Sequence, residues 1–431
     1  MDPVKKSSRF CLPNDLTVLV SESHRLPLVC INAFFLAGAS QNPLQRPGLA
    51  ALTSRLLDEG TENYRADEIS EMVESTGGSL STFCEREISG ISELFTSSHL
   101  TLGLDLLQEM LRCPVFPEKR FQMERRKVLN HLQAMSDDPQ FVAANRLNAW
   151  VYQNSPLQYP VLGTEESVGD LRIGELRDFH RRTCAPQGTI LVVVGDVDAD
   201  EVLSLCEERF SDWNNPEYRR VQAPQFERQS KAILDEHFME KEQITIFLGH
   251  LGIRRSNPDY YALQVMDTIL GSGPGFTSRI PRKLREEQGL AYSTYAGISP
   301  SSGLDPGRFV AWITTSPENR EKALDGLLLE INNLLQNGVT AQELATAQDY
   351  LTGNFVFEFQ SNAHVARFLL ATELYDLGQD YAQRYPEIIR EITREEVHRV
   401  ARQYLDTVHY ATVVVGPTYD TKPDNQSPIP P

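Results

Sequence analysis

The chain has 431 residues, enough for two or more domains, and its 41% hydrophobic and 23% charged residues are the balance of a globular protein. A formal net charge of −18 argues against nucleic acid as the main partner, because phosphate binding needs a basic surface, and no run of about 18 apolar residues is present to form a spanning helix. The six cysteines (Cys11, Cys30, Cys84, Cys113, Cys184 and Cys206) form no C-x-x-C pair, so buried free thiols are expected rather than a disulfide framework or a cysteine zinc site.

The opening stretch MDPVKKSSRFCLPNDL has two lysines with no apolar segment behind them. No secretory signal is read there, and the expected compartment is the cytoplasm, or the periplasm if a leader has been trimmed. Residues 16–23 (LTVLVSES) read as a strand and 28–38 (LVCINAFFLAG) as a second, more buried one. A helix is predicted over about 47–59, with Pro47 in its first turn, Leu49, Leu52 and Leu56 on one face, and Gly60 as its stop. ADEISEMVESTGG is a further helix ending at a glycine pair, and a strand-like stretch follows near 79–96. Residues 95–111 then read as a strand end and helix, 116–135 as a helix opened by a proline and an acidic first turn, and 174–197 as a helix and buried strand.

The second half repeats this order. Residues 309–338 are a strand and a helix that starts at Ser316-Pro317, presents Leu324, Leu328, Ile331 and Leu335 on one face, and stops at Gly338. Residues 340–351 stand where 117–129 stood, and 393–417 where 174–197 stood, with VVVG in both. A repeat of roughly 200 residues is too long for a solenoid unit. The expected fold is therefore α+β: two homologous α/β-sandwich-like domains, each a mostly antiparallel sheet covered by helices. The boundaries read as 1–212, a polar proline-bearing linker at 213–229, 230–417, and a proline-rich, disordered tail at 418–431.

Three stretches carry a resemblance over nearly the whole chain. PGLAALTSRLLDEGTENY, PVLGTEESVGDL…GTILVVVGDV and GPGFTSRIPRKLREEQGLAYSTY together resemble the insulinase/pitrilysin metallopeptidases, in their short bacterial, mitochondrial-processing-peptidase-like branch. Active members of that family carry H-x-x-E-H in the first stretch: two imidazoles one helical turn apart bind zinc, and the Glu acts as base on the metal's water. The matching positions here are Ala51, Ser54 and Arg55. A methyl, a hydroxyl and a fixed cation cannot do that work. A Glu from a later helix completes the family's site. Its matching place is taken as His131 or Asn130, with Glu124 as the upstream acidic residue of the same helix. HFMEKE (237–242) is H-x-x-E without a second His, and no other ligand set is visible. No metal is expected in this chain.

The resemblance also implies what is retained. The family's second domain contributes an Arg and a Tyr seven residues apart, which bind the substrate backbone and polarise the scissile carbonyl; Arg285 and Tyr292 match them. The loop LGSGPGFTSR, with Gly273 and Gly275, follows a helical stretch rather than a strand, so a hinge, a peptide contact or a plain connection is expected instead of a phosphate cradle. GGSLSTFCERE, with Ser79 and Thr82, matches the strand that holds extended peptide by strand addition. The expectation is a zinc-free subunit that binds unfolded peptide and lends Arg285 and Tyr292 to a homologous zinc-bearing partner, with no nucleic-acid or membrane role. The alternative is a stand-alone peptide-binding or structural scaffold.

Overall fold

Runs rich in valine, isoleucine and phenylalanine build two mixed sheets in the computed structural model of the chain, which describes residues 7–219, 225–274 and 277–417. The first sheet contains β1 (Ser7–Cys11), β2 (Thr17–Glu22), β3 (Leu28–Phe35), β4 (Ser79–Cys84), β5 (Ser89–Thr96) and β6 (Thr189–Gly195), in the order β1-β2-β6-β3-β5-β4. The second contains β7 (Ile233–Phe238), β8 (Ile244–Leu251), β9 (Ser293–Gly297), β10 (Arg308–Thr315) and β11 (Ala411–Gly416), in the order β7-β11-β8-β10-β9. The repeat read in the sequence is thus a repeat of topology. Strands β2, β6, β3, β5 and β4 recur as β7, β11, β8, β10 and β9, each sheet with one parallel pair (β2 with β6, β7 with β11) among antiparallel ones. Strand β1 is the addition that caps the outer edge of the first sheet.

The first half supplies helices α1 (Leu49–Ser54), α2 (Ala66–Glu74), α3 (Leu100–Arg112), α4 (Glu118–Met135), α5 (Pro139–Val151), α6 (Glu165–Asp170), α7 (Ile173–Thr183) and α8 (Ala199–Phe210). The second supplies α9 (Tyr260–Asp267), α10 (Arg320–Asn337), α11 (Ala341–Asn354), α12 (Asn362–Leu374), α13 (Tyr381–Glu391) and α14 (Arg394–Tyr404). One face of the first sheet packs on its own helices through Val29, Ile31, Ala33, Ile91 and Phe95 against Leu104, Leu107 and Leu111 of α3. Its other face, with Phe34, Val192 and Val194, belongs to a core built mainly by the second half, where α12 lies on β3 and β6. The exchange is reciprocal: α5, from the first half, lies on β8 and β11 and buries Ala143, Leu147 and Val151 against Phe247, Val413 and Val415. Polar clamps follow the same crossings. Asp235 on β7 takes a two-pronged contact from Arg146 of α5 and the Trp150 indole at 2.7 Å. Glu87, in the β4–β5 turn, accepts the backbone N–H groups of Leu304 and Asp305 at 2.9 and 2.8 Å.

Several expectations shift in detail. The helix expected over 47–59 closes at Ser54, because Leu56 and Leu57 bond back to Thr53 and Ser54 and tighten the chain into turns. The strand-like stretch near 79–96 is two strands, β4 and β5, joined by a turn. His237 of the H-x-x-E sits near the end of β7, and the stretch leads into β8. Of the six cysteines, Cys30, Cys184 and Cys206 are buried and Cys11 is exposed, and all six are free. The linker is anchored where it is described: Trp213 packs on Phe210, and Phe226 on Tyr152. Residues 220–224 and the expected tail at 418–431 lie outside the described residues.

Candidate functional site

Helix α1 is short and wholly buried, and begins at Gly48, whose φ of 87° suits glycine. It delivers Ala51, 2% exposed, and Arg55 to a cavity of about 290 Å³. The cavity is also lined by Asp58 and Glu59 from the following turn, Thr82, Phe83 and Cys84 of β4, Glu124 and Lys127 of α4, and Leu162. Ser54 does not face the cavity as a base would. It is buried, and its hydroxyl donates to the Phe83 carbonyl at 2.7 Å, tying α1 to the edge strand.

The charges are arranged in pairs. Glu124 is 5% exposed. Its Oε1 accepts from Lys127 Nζ at 2.5 Å, and its Oε2 lies 3.9 Å from the Arg55 guanidinium. Glu59 lies 3.3 Å from Arg120, which also pairs with Asp67. Among the described residues Asp58 has no ion-pair partner, and burial pushes its carboxyl up to about 6. Burial likewise pushes the Cys84 thiol up to about 12, so it is a packing group rather than a thiolate.

His131 and Asn130 do not line this cavity; both are exposed, further along α4. The carboxylate of α4 that lines the cavity with Ala51 and Arg55 is Glu124, the upstream acidic residue, about two helical turns before 130–131. The sequence held the signal. Glu124 interrupts a buried stripe of Phe121, Val128 and Leu132, and a carboxylate in such a stripe points inward. The donor set does not fit a metal ion: Ala51 offers no donor, Arg55 no lone pair, and an ammonium already sits on Glu124. Among the described residues no group of three or more His, Cys, Asp or Glu is placed to hold a metal.

Arg285 and Tyr292 lie in the second half and line no part of this cavity. Arg285 is exposed on a π-helical segment, Pro281–Glu287. Such segments are uncommon and recur at functional places. Tyr292 is 77% exposed, and its backbone N–H bonds to the Thr314 carbonyl at 3.1 Å just before edge strand β9. A phenol so placed is mostly in solvent. Gly273 ends a second π-helical segment, Thr268–Ser272, that continues α9; a Cβ there would meet the Thr268 carbonyl oxygen at 2.5 Å, so the close turn requires glycine. Gly275 lies outside the described residues. Strand β4 is the edge of its sheet, with Thr82 in the cavity wall and Ser79 exposed at the far end.

Two family models cover most of the chain: insulinase (peptidase family M16) over residues 17–165 and the peptidase M16 inactive domain over 170–351. The chain belongs to the M16 peptidase family. Among M16 relatives, the uncharacterized zinc protease YmxG of Bacillus subtilis is 24% identical over 414 residues, covering 95% of this chain and 98% of that protein. The non-peptidase homolog YmxG of Helicobacter pylori is 26% identical over 340 residues, 78% and 77% of the two chains. A crystal structure of a peptidase M16 inactive domain from Pseudomonas fluorescens superposes with a TM-score of 0.89 at 25% identity, covering 97% of this chain and 100% of that one. A protease from H. pylori, at 19% identity and a TM-score of 0.87, shares the fold. No helix among the described residues is long and apolar enough to cross a membrane.

Proposed function

We propose that this M16 chain is a zinc-free, non-catalytic subunit that holds extended peptide and supplies Arg285 and Tyr292 to the active site of a homologous, zinc-bearing subunit. The observation that carries the reading is the split between the two halves. The cavity under α1 is lined by paired charges and no imidazole, while Arg285 and Tyr292 are exposed and line no part of it. A guanidinium and a phenol are suitable donors to an oxyanion developing on a partner's substrate. The edge of β4 offers backbone groups to an extended peptide, which supports peptide holding by strand addition. The relative named a non-peptidase homolog favours the scaffold alternative, in which the same surface binds without a catalytic partner.

Isolation of the native complex with metal analysis tests the proposal. The expected result is a second M16 chain with about one zinc, and peptide cleavage that needs both chains. A chain that purifies only with itself, or a partner fully active alone, would leave the scaffold reading in its place.

A further inference from the structure

The cavity under α1 poses an electrostatic problem that its surroundings answer. A carboxylate as enclosed as Glu124 is costly unless a cation accompanies it. In a metal-bearing relative of this fold the metal ion would meet that need. Here the nearest cation is the chain's own: Lys127, one turn along the same helix, places Nζ 2.5 Å from Glu124 Oε1 while its stem runs out to solvent. Arg55 approaches the other oxygen from α1 at 3.9 Å. Glu59 is engaged by Arg120, and Lys127, besides its contact with Glu124, acts at longer range on Asp58 and Glu59.

We infer that Lys127, with Arg55 beside it, is the resident cation of a substituted metal site: an ammonium bound to Glu124 supplies the positive charge a divalent ion would supply and closes the cavity to metal, while Arg55 reaches the same carboxylate from α1. The inference deepens the zinc-free reading, and it makes a claim that loss of ligands alone does not. Rebuilding the two imidazoles and the base would still leave an ammonium on the buried carboxylate of the same cavity, and a divalent ion would have to enter against that charge or displace it. Lys127 is therefore a second lock on the site, independent of Ala51, Ser54 and Arg55.

Two measurements on the chain alone test this, so neither depends on whether a catalytic partner exists. The first compares Ala51→His/Ser54→Glu/Arg55→His with the same variant carrying Lys127→Met, reading zinc affinity by competition with a chromophoric chelator. The expected result is one zinc per chain only with Lys127→Met present, at least about 10²-fold tighter than in the threefold variant. Equal affinity in the two, or no zinc in the fourfold variant while it remains folded, overturns the inference. The second needs no rebuilt motif and covers the case in which the larger side chains impair folding. In the otherwise unaltered chain Lys127→Met should lower the urea midpoint, and Lys127→Met/Glu124→Met should recover most of the loss, because the orphaned carboxylate is then gone. A neutral Lys127→Met, or a double variant no more stable than Lys127→Met, overturns it as well.

Discussion

Glu93 is a buried acid without a partner, and replacing it should stabilise the protein. It lies on β5 opposite Ile31 of β3, on the face that carries Ile91 and Phe95, and it is 1% exposed. Neither carboxyl oxygen has a hydrogen-bond partner. The opposing helix α3 makes room with Gly103, where a Cβ would lie 3.1 Å from Glu93 Oε2. Burial alone raises the carboxyl well above its ordinary value of 4.5, so the native state holds it as the neutral acid. A neutral polar group buried without a partner costs about 1–3 kcal/mol. Glu93→Met removes that cost, keeps an unbranched chain that can lie along Gly103, and buries apolar atoms instead, so a gain of about 2–4 kcal/mol is expected. The sign with pH follows from linkage. The folded carboxyl binds its proton more tightly than the unfolded one, so unaltered protein loses stability as pH rises above 4.5, by about 1.4 kcal/mol per unit until the folded group ionises. The advantage of Glu93→Met should therefore be least near pH 4.5 and grow toward neutrality. Urea unfolding of both proteins at a series of pH values reads this directly. A destabilised Met variant, or a difference that does not change with pH, would show that Glu93 has a native partner and refute the reasoning.

In the reconstituted pair, Tyr292→Phe and Arg285→Ala should each lower kcat on a quenched-fluorescent peptide by roughly 10²–10³ while assembly on a sizing column is unchanged. Gly273→Ala should cost about 1–3 kcal/mol in urea unfolding, since the new methyl meets the Thr268 carbonyl at 2.5 Å. Asp235→Ala strips the Arg146 guanidinium and the Trp150 indole of their acceptor, and a loss of about 1–3 kcal/mol is expected, with Arg146's partial exposure keeping it at the lower end.

The two-fold repeat was legible because its signals are local. The VVVG strands and the helix starts at Pro117 and Thr340 declare themselves within one segment, as does the α10 helix itself, although its buried stripe runs through Ala323, Leu327, Ile331 and Leu334 rather than the face expected at Leu324, Leu328, Ile331 and Leu335. That Ala51, Ser54 and Arg55 bring no imidazole and no carboxylate was equally plain, since residue type alone decides it. Helices α5 and α12 were not read. Leu147 of α5 is buried among residues of the second half, and α12 lies on β3 and β6 of the first sheet, destinations no window of sequence contains. Lys127 escaped for a similar reason. Among the charges of MERRKVLNHL nothing marks one lysine as the one held against a buried carboxylate; that depends on how α4 is rotated about its axis, which packing decides.

The reciprocal placement of α5 and α12 sets an order on synthesis. The first sheet is complete once Gly195 has been made, yet the face bearing Phe34, Val192 and Val194 waits for a helix that ends at Leu374. A ribosome adding roughly 5–20 residues per second leaves that apolar face uncovered for about ten seconds or more. A chain truncated between the halves should therefore be a client for holding chaperones rather than a soluble domain, and the protein should be delivered to its folded state as one piece.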